Sequence, residues 1–102
     1  MYKLRISELA HNDLDGIVSY IAIVLSNPVA ASNFMKELEK HYGHLKNNPY
    51  MYEMCNNLRL QRENYRRVPI NNYVLIYKVN EEDKIINIYR IFYGRQDYLK
   101  LI

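Results

Sequence analysis

Three runs of β-branched and aromatic residues follow one another almost without interruption in the second half of the chain: Tyr65 to Ile70, Tyr73 to Val79, and Ile85 to Tyr93. Only Asn71-Asn72 separates the first two, and only Asn80-Glu81-Glu82-Asp83 separates the last two. Breaks this short and this polar make hairpin turns, so the runs are expected to form an antiparallel three-stranded meander. The middle run, Tyr-Val-Leu-Ile-Tyr-Lys-Val, is nearly all apolar and reads as a central strand covered over most of its length, while the last alternates more openly. Gly94 ends it, and Arg95 to Ile102 could form a final helical turn or a tail.

The first half has other periods. Tyr2 to Ile6 alternates, which places Tyr2, Leu4 and Ile6 on one face of a short strand, and Ser7 can cap a helix starting at Glu8. From Glu8 the spacing turns helical: Leu14, Ile17, Val18, Ile21 and Leu25 make one stripe that stops at Ser26-Asn27-Pro28, a helix of about five turns. Pro28 suits the first position of a second helix, with Asn27 as its cap. Ala31, Phe34, Met35, Leu38, Tyr42 and Leu45 recur at three and four until Asn47-Asn48-Pro49. Two helices with so short a turn pack as an antiparallel hairpin. Residues 50–64 lack clear periodicity and read as an irregular connection, with a strand near Leu58-Arg59-Leu60.

At 102 residues the chain can bury one modest core, so residues 1–102 are expected to be a single α+β domain: N-terminal strand, antiparallel helical hairpin, then the meander, in one twisted sheet. With 49% hydrophobic and 25% charged residues, the composition is that of a folding chain. The N-terminus has no continuous apolar core of a signal peptide, and no segment approaches the length of a membrane span, so a cytoplasmic protein without membrane contact is expected. A lone cysteine, Cys55, excludes an internal disulfide and reads as a small filler. His41 and His44, three apart on the second helix, could stand side by side; with no third ligand indicated, they are expected to face solvent. No metal and no cofactor are expected, and three glycines in the whole chain argue against a nucleotide-cradling loop.

The net charge of +3 is unevenly spread. Lys and Arg number 5 against 6 Asp and Glu in residues 1–58, and 9 against 5 in residues 59–102. Six of seven arginines and six of eleven tyrosines lie in the second half. Guanidinium forks and aromatic faces suit phosphate and base contacts, and are equally frequent in protein interfaces. Blander roles stand beside these. Tyr73, Tyr77 and Tyr89 read as packing residues, Asp13 as a helix N-terminal charge, and Arg90 could pair with Asp97 at the sheet's end.

Three passages carry a resemblance to a known family: Asp13-Leu14 with Tyr20-Ile21, the run Tyr65-Arg66-Arg67-Val68-Pro69-Ile70 leading to Tyr73-Val74-Leu75-Ile76-Tyr77-Lys78-Val79, and Arg90-Ile91-Phe92-Tyr93-Gly94-Arg95-Gln96-Asp97. Together with the element order, they resemble the RelE/ParE superfamily of type II toxin–antitoxin toxins, the plasmid stabilisation family. The resemblance implies a growth inhibitor neutralised by a cognate antitoxin in a hetero-oligomer. ParE-like members inhibit DNA gyrase; RelE-like members enter the ribosome and cut mRNA. A further alternative is a non-toxic member that binds only antitoxin or RNA.

Cleavage by a 2′-hydroxyl needs a base, an acid and cations for the charged transition state. Arg67, Arg90, Tyr93 and Arg95 are the candidates for such a site, and Arg66, Arg67, Arg90, Arg95 and Tyr98 for binding target or nucleic acid. Val74, however, stands where RelE-like strands carry an active-site arginine, Tyr93 stands where many relatives have histidine, and arginine is a poor base because it stays protonated. The sequence therefore favours a binding surface, as in ParE-like inhibition of a protein target, over a complete nuclease.

Overall fold

The computed structural model describes residues 1–95 and residue 102. Strand β1 (Lys3–Ile6) leads into helix α1 (Glu8–Ser19), whose final turn continues as a π-helical turn over Tyr20–Val24. Helix α2 (Pro28–Asn47) returns alongside, and a short helix α3 (Leu58–Arg62) precedes β2 (Arg66–Ile70), β3 (Tyr73–Asn80) and β4 (Ile85–Tyr93). The strand expected near Leu58-Arg59-Leu60 is thus a helix. Asn57 caps it by accepting from the backbone N–H groups of Arg59 and Leu60, and Leu60 is fully buried, a demand that one helical turn satisfies without a sheet partner.

The expected caps hold the other helices. Ser7 accepts from the Ala10 N–H at the start of α1, and Asn27 from the Ala30 N–H ahead of α2, with Pro28 at its first turn. The first helix departs from expectation only at its end, where the backbone widens to the π form and leaves Ile23, Val24 and Leu25 exposed.

The four-stranded sheet runs β1-β4-β3-β2, antiparallel through the meander and parallel where β1 adds to β4. On one face the helical hairpin covers Val68, Ile70, Leu75, Tyr77, Ile86, Ile88 and Ile91, with Phe34, Leu38 and Leu45 opposite them. On the other face Val74, Ile76 and Phe92 are buried by Cys55, Leu60 and Tyr65. β3 is therefore covered on both sides, and its run from Val74 to Tyr77 is wholly buried, as its apolar sequence predicts.

One irregularity positions the functional surface. Ile76 faces Arg90 whereas Tyr77 faces Ile88, so Tyr89 is an extra residue, a β-bulge in β4. The bulge falls where β1 ends: Ile6 is paired with Ile88, and Ser7 then takes the carbonyls of both Ile88 and Tyr89, through its N–H and its hydroxyl. Beyond it, the outer edge of β4 faces α1 instead of a strand.

Candidate functional site

Between α1 and this part of β4 lies a groove of about 820 Å³. Asn12, Asp13, Gly16, Ile17 and Tyr20 line it from the helix, with Leu25 beyond them, and Asn72, Tyr73 and Arg90 through Tyr93 line it from the sheet. Gly16 makes the helix wall low, since a Cβ there would meet nothing within 4 Å. The Tyr73 ring is wedged edge-on between Phe34 and Tyr93, at 5.2 and 5.8 Å between centroids. Exposed Ile23, Val24 and Val29 extend the apolar surface past Leu25 around the hairpin tip.

Asp13 governs the polar end. Its carboxylate receives Nε of Arg90 at 2.8 Å and Nη2 at 2.9 Å, and Oδ2 also accepts the Ile91 N–H at 3.0 Å. One helical side chain thus takes both the guanidinium fork and the backbone donor that the unpaired strand edge presents. The Asp13 hydrogen bonds raise the Arg90 pKa above its already high ordinary value, and the guanidinium lies over the Phe92 ring, 4.6 Å from its centroid. Asp13 is therefore not a helix N-terminal charge, and Arg90 pairs with it; Asp97, the expected partner, lies outside the described residues.

The candidate residues do not gather into one site. Arg90 and Tyr93 share the groove, Tyr93 being exposed. Arg95 is exposed beyond the end of β4, and Tyr98 lies outside the described residues. Arg66 and Arg67 sit on the far strand of the meander and point to opposite faces. Arg66 donates through Nη1 to the Tyr52 carbonyl at 2.7 Å and lies over the Tyr50 ring, tying down the connection after α2. Arg67 lines a separate cleft of about 280 Å³ with Met51, Tyr52, Glu53 and Pro69. Val74 is buried, so the place where a nuclease would present arginine is packed with hydrocarbon.

Sequence reasoning missed Asp13, Gly16, Tyr20 and Asn72. A signal for Gly16 was present: a glycine inside a helix costs stability and calls for a reason outside the helix itself. Tyr77 is fully buried, and its hydroxyl donates to the Pro49 carbonyl at 2.6 Å. Tyr73 and Tyr89 are also packing residues, Tyr89 edge-on to Tyr65 with Lys78 nearby. Of the two helical histidines, His44 is exposed as expected and His41 is not. His41 is half-buried, and its Nδ1 lies 2.6 Å from the Tyr52 hydroxyl, which His44 approaches at 3.4 Å. Among the described residues, no helix is long and apolar enough to cross a membrane.

Known structures share this fold. The chromosomal ParDE toxin–antitoxin system of P. aeruginosa superposes with a TM-score of 0.70 at 20% identity, covering 91% of this chain and 96% of that one. The RelBE2 toxin–antitoxin complex of Mycobacterium tuberculosis gives 0.63 at 17% identity over 90% and 96% of the two chains. The intact E. coli RelBE complex gives 0.63 at 13% identity over 94% and 100%. No curated protein matches in sequence. Residues 4–98 match the family described as the ParE toxin of the type II toxin–antitoxin system parDE. With nearly its whole length matched, and with the strand, helical hairpin and meander in place, the chain belongs to the ParE toxin family within the RelE/ParE superfamily.

Proposed function

We propose that this chain is a cytoplasmic growth inhibitor that binds a protein target such as DNA gyrase, and that a cognate antitoxin silences it by occupying the groove between α1 and β4 in a hetero-oligomer. The observation that carries this reading is the engagement of Arg90. In a phosphate-cutting site this arginine would have to face the substrate; here both prongs of its fork are held by Asp13. Arg66 is likewise tied to a backbone carbonyl, and Val74 offers no replacement cation. Among the described residues no histidine lines the groove, and arginine, which stays protonated, has no lone pair with which to take a 2′-hydroxyl proton.

The groove suits a protein ligand. It is walled by Ile17, Tyr20, Leu25 and Tyr73, and backed by the part of β4 that β1 does not pair. Its apolar side chains offer a peptide anchoring pockets, while the Ile91 N–H at the strand edge is already taken by Asp13. The structural relatives, solved as toxin–antitoxin systems, support a partner of that kind.

A supercoiling assay with purified chain and gyrase tests the target. Inhibition is expected, with no cleavage of mRNA in toeprints of translating ribosomes. Intact supercoiling at excess protein, together with A-site cleavage, would replace this reading with the ribosome-dependent nuclease. Normal growth on induction without antitoxin would replace it with a non-toxic binding module.

A further inference from the structure

We propose that the sheet face turned away from the helical hairpin docks on the phosphate backbone of duplex DNA through Lys3, Arg5 and Lys78. The face lies apart from the groove, and the inference does not rest on the toxin reading. Leu4 and Ile6 of β1, Tyr77 of β3, and Ile86 and Ile88 of β4 pack into the core beneath the hairpin. Successive side chains alternate, so their neighbours Lys3, Arg5, Lys78 and Asn87 point to the opposite face. Arg5 is paired with Asn87, and Asn87 with Lys78, which sets cation, amide and cation in one row across β1, β4 and β3. Lys3 stands in the next row, opposite Ile85.

This charge is not neutralised within the protein. Lys3 and Arg5 are exposed, Lys78 is half-buried, and none of the three has a carboxylate partner among the described residues. Lys78 is held by rings instead: its Nζ lies 4.2 Å from the centroid of Tyr65 and 5.6 Å from that of Tyr89, two rings packed edge to face at 5.3 Å. A cation–π contact fixes an ammonium without cancelling its charge. Carboxylates flanking the rows are engaged elsewhere: Glu63 pairs with Arg59, Glu81 receives Lys84, and Asp83 accepts from the Asn80 amide.

Strand spacing and rise place the backbone positions of the three cations roughly 7 to 12 Å from one another, far enough for each long side chain to take a separate phosphate. The chemistry of the partner follows from what the face lacks. A protein interface is centred on apolar or aromatic anchors, and a bound single strand stacks its bases on open rings. Here Tyr65 is buried and Lys78 lies over both tyrosine rings, so neither anchor nor stacking platform is offered. A duplex backbone asks only for spaced cations, each of which releases counterions. Asn87, between Arg5 and Lys78, adds a neutral donor for a phosphate oxygen. Two of the three cations come from the first strand, outside the arginine-rich half of the chain.

Fluorescence anisotropy of the full chain with a labelled mixed-sequence DNA duplex tests the face. The logarithm of affinity should fall against that of salt concentration with a slope of about −2.7, or about 0.9 for each of the three cations. Lys3→Gln and Arg5→Gln, both at exposed positions, should each flatten that slope by about 0.9. Lys36→Gln removes an exposed charge from α2 and should leave the slope unchanged. Absence of binding at low salt overturns the proposal, and so does equal flattening by Lys36→Gln, which would reduce the effect to net charge. Tighter binding of single-stranded RNA of the same length, or of poly-glutamate, overturns it too and assigns the face to RNA or to an acidic protein.

Discussion

Arg90 and Asp13, 77 residues apart in sequence, form a two-pronged ion pair that joins α1 to the edge of β4. Both side chains are largely withdrawn from solvent, with relative exposures of 18% and 15%, so neither charge is easily rehydrated if its partner is lost. Asp13→Ala leaves the guanidinium and the Ile91 N–H without their acceptor, and should cost about 2–4 kcal/mol. Arg90→Lys should cost less, because a charge remains but the fork does not. Urea denaturation of both variants and of the double mutant checks this. Strictly additive effects would show that the two side chains do not interact in solution.

That pair also marks where sequence reasoning ended. The meander, the helical hairpin and their caps are local: short polar breaks, residue spacing, Ser7, Asn27 and Pro28 suffice for them. Arg67 and Arg90 were legible as basic strand residues, but their employment was not. Which acceptor Arg90 reaches depends on the extra residue Tyr89 and on where β1 stops, two features of tertiary pairing without a local signature. Leu58-Arg59-Leu60 was misread for a related reason: a segment too short to show a period takes its conformation from the burial of Leu60 and the cap at Asn57.

The two helical glycines separate stability from recognition. An added Cβ at Gly43 or at Gly16 meets nothing within 4 Å, so alanine at either position should stabilise the chain by about 0.5–1 kcal/mol. Only Gly16 lines the groove. Gly16→Leu should therefore fold at least as well as wild type yet lose more than tenfold in inhibition of gyrase supercoiling if the target uses the groove, while Gly43→Ala keeps full potency. Equal potency of the two variants would remove the groove from target binding.

Tyr42 and Tyr77 offer a matched test of buried hydroxyls. The Tyr77 hydroxyl donates to the Pro49 carbonyl, whereas that of Tyr42 has no hydrogen-bond partner among the described residues, and burial pushes its pKa up to about 12. Removing an unsatisfied buried hydroxyl removes a desolvation cost; removing a satisfied one strands its acceptor. Tyr42→Phe should stabilise by about 1 kcal/mol and Tyr77→Phe should destabilise by about 1–3 kcal/mol. Opposite shifts in thermal midpoint are the expected result, and destabilisation by Tyr42→Phe would reveal a partner for its hydroxyl.

Glu81 ties the β3–β4 turn to the start of the chain and to the connection after α2. Its carboxylate receives Lys84 and the hydroxyls of Tyr2 and Tyr50, the latter two at 2.6 and 2.7 Å. These bonds, Lys84 first, hold its pKa down to about 2 from an ordinary 4.5, and the Tyr50 phenol is in turn pushed up to about 12. A carboxyl group depressed in the folded state favours folding fully above its ordinary pKa, and that contribution fades as pH falls from about 4.5 through about 2. The group is exposed, so salt should weaken the effect. Carboxyl-carbon NMR should therefore show Glu81 titrating below its ordinary value in low salt and moving upward in Tyr50→Phe and at high ionic strength. Glu81→Gln should flatten the acid limb of the stability profile between those two pH values; an unchanged limb would show that the three donors do not hold the carboxylate in solution.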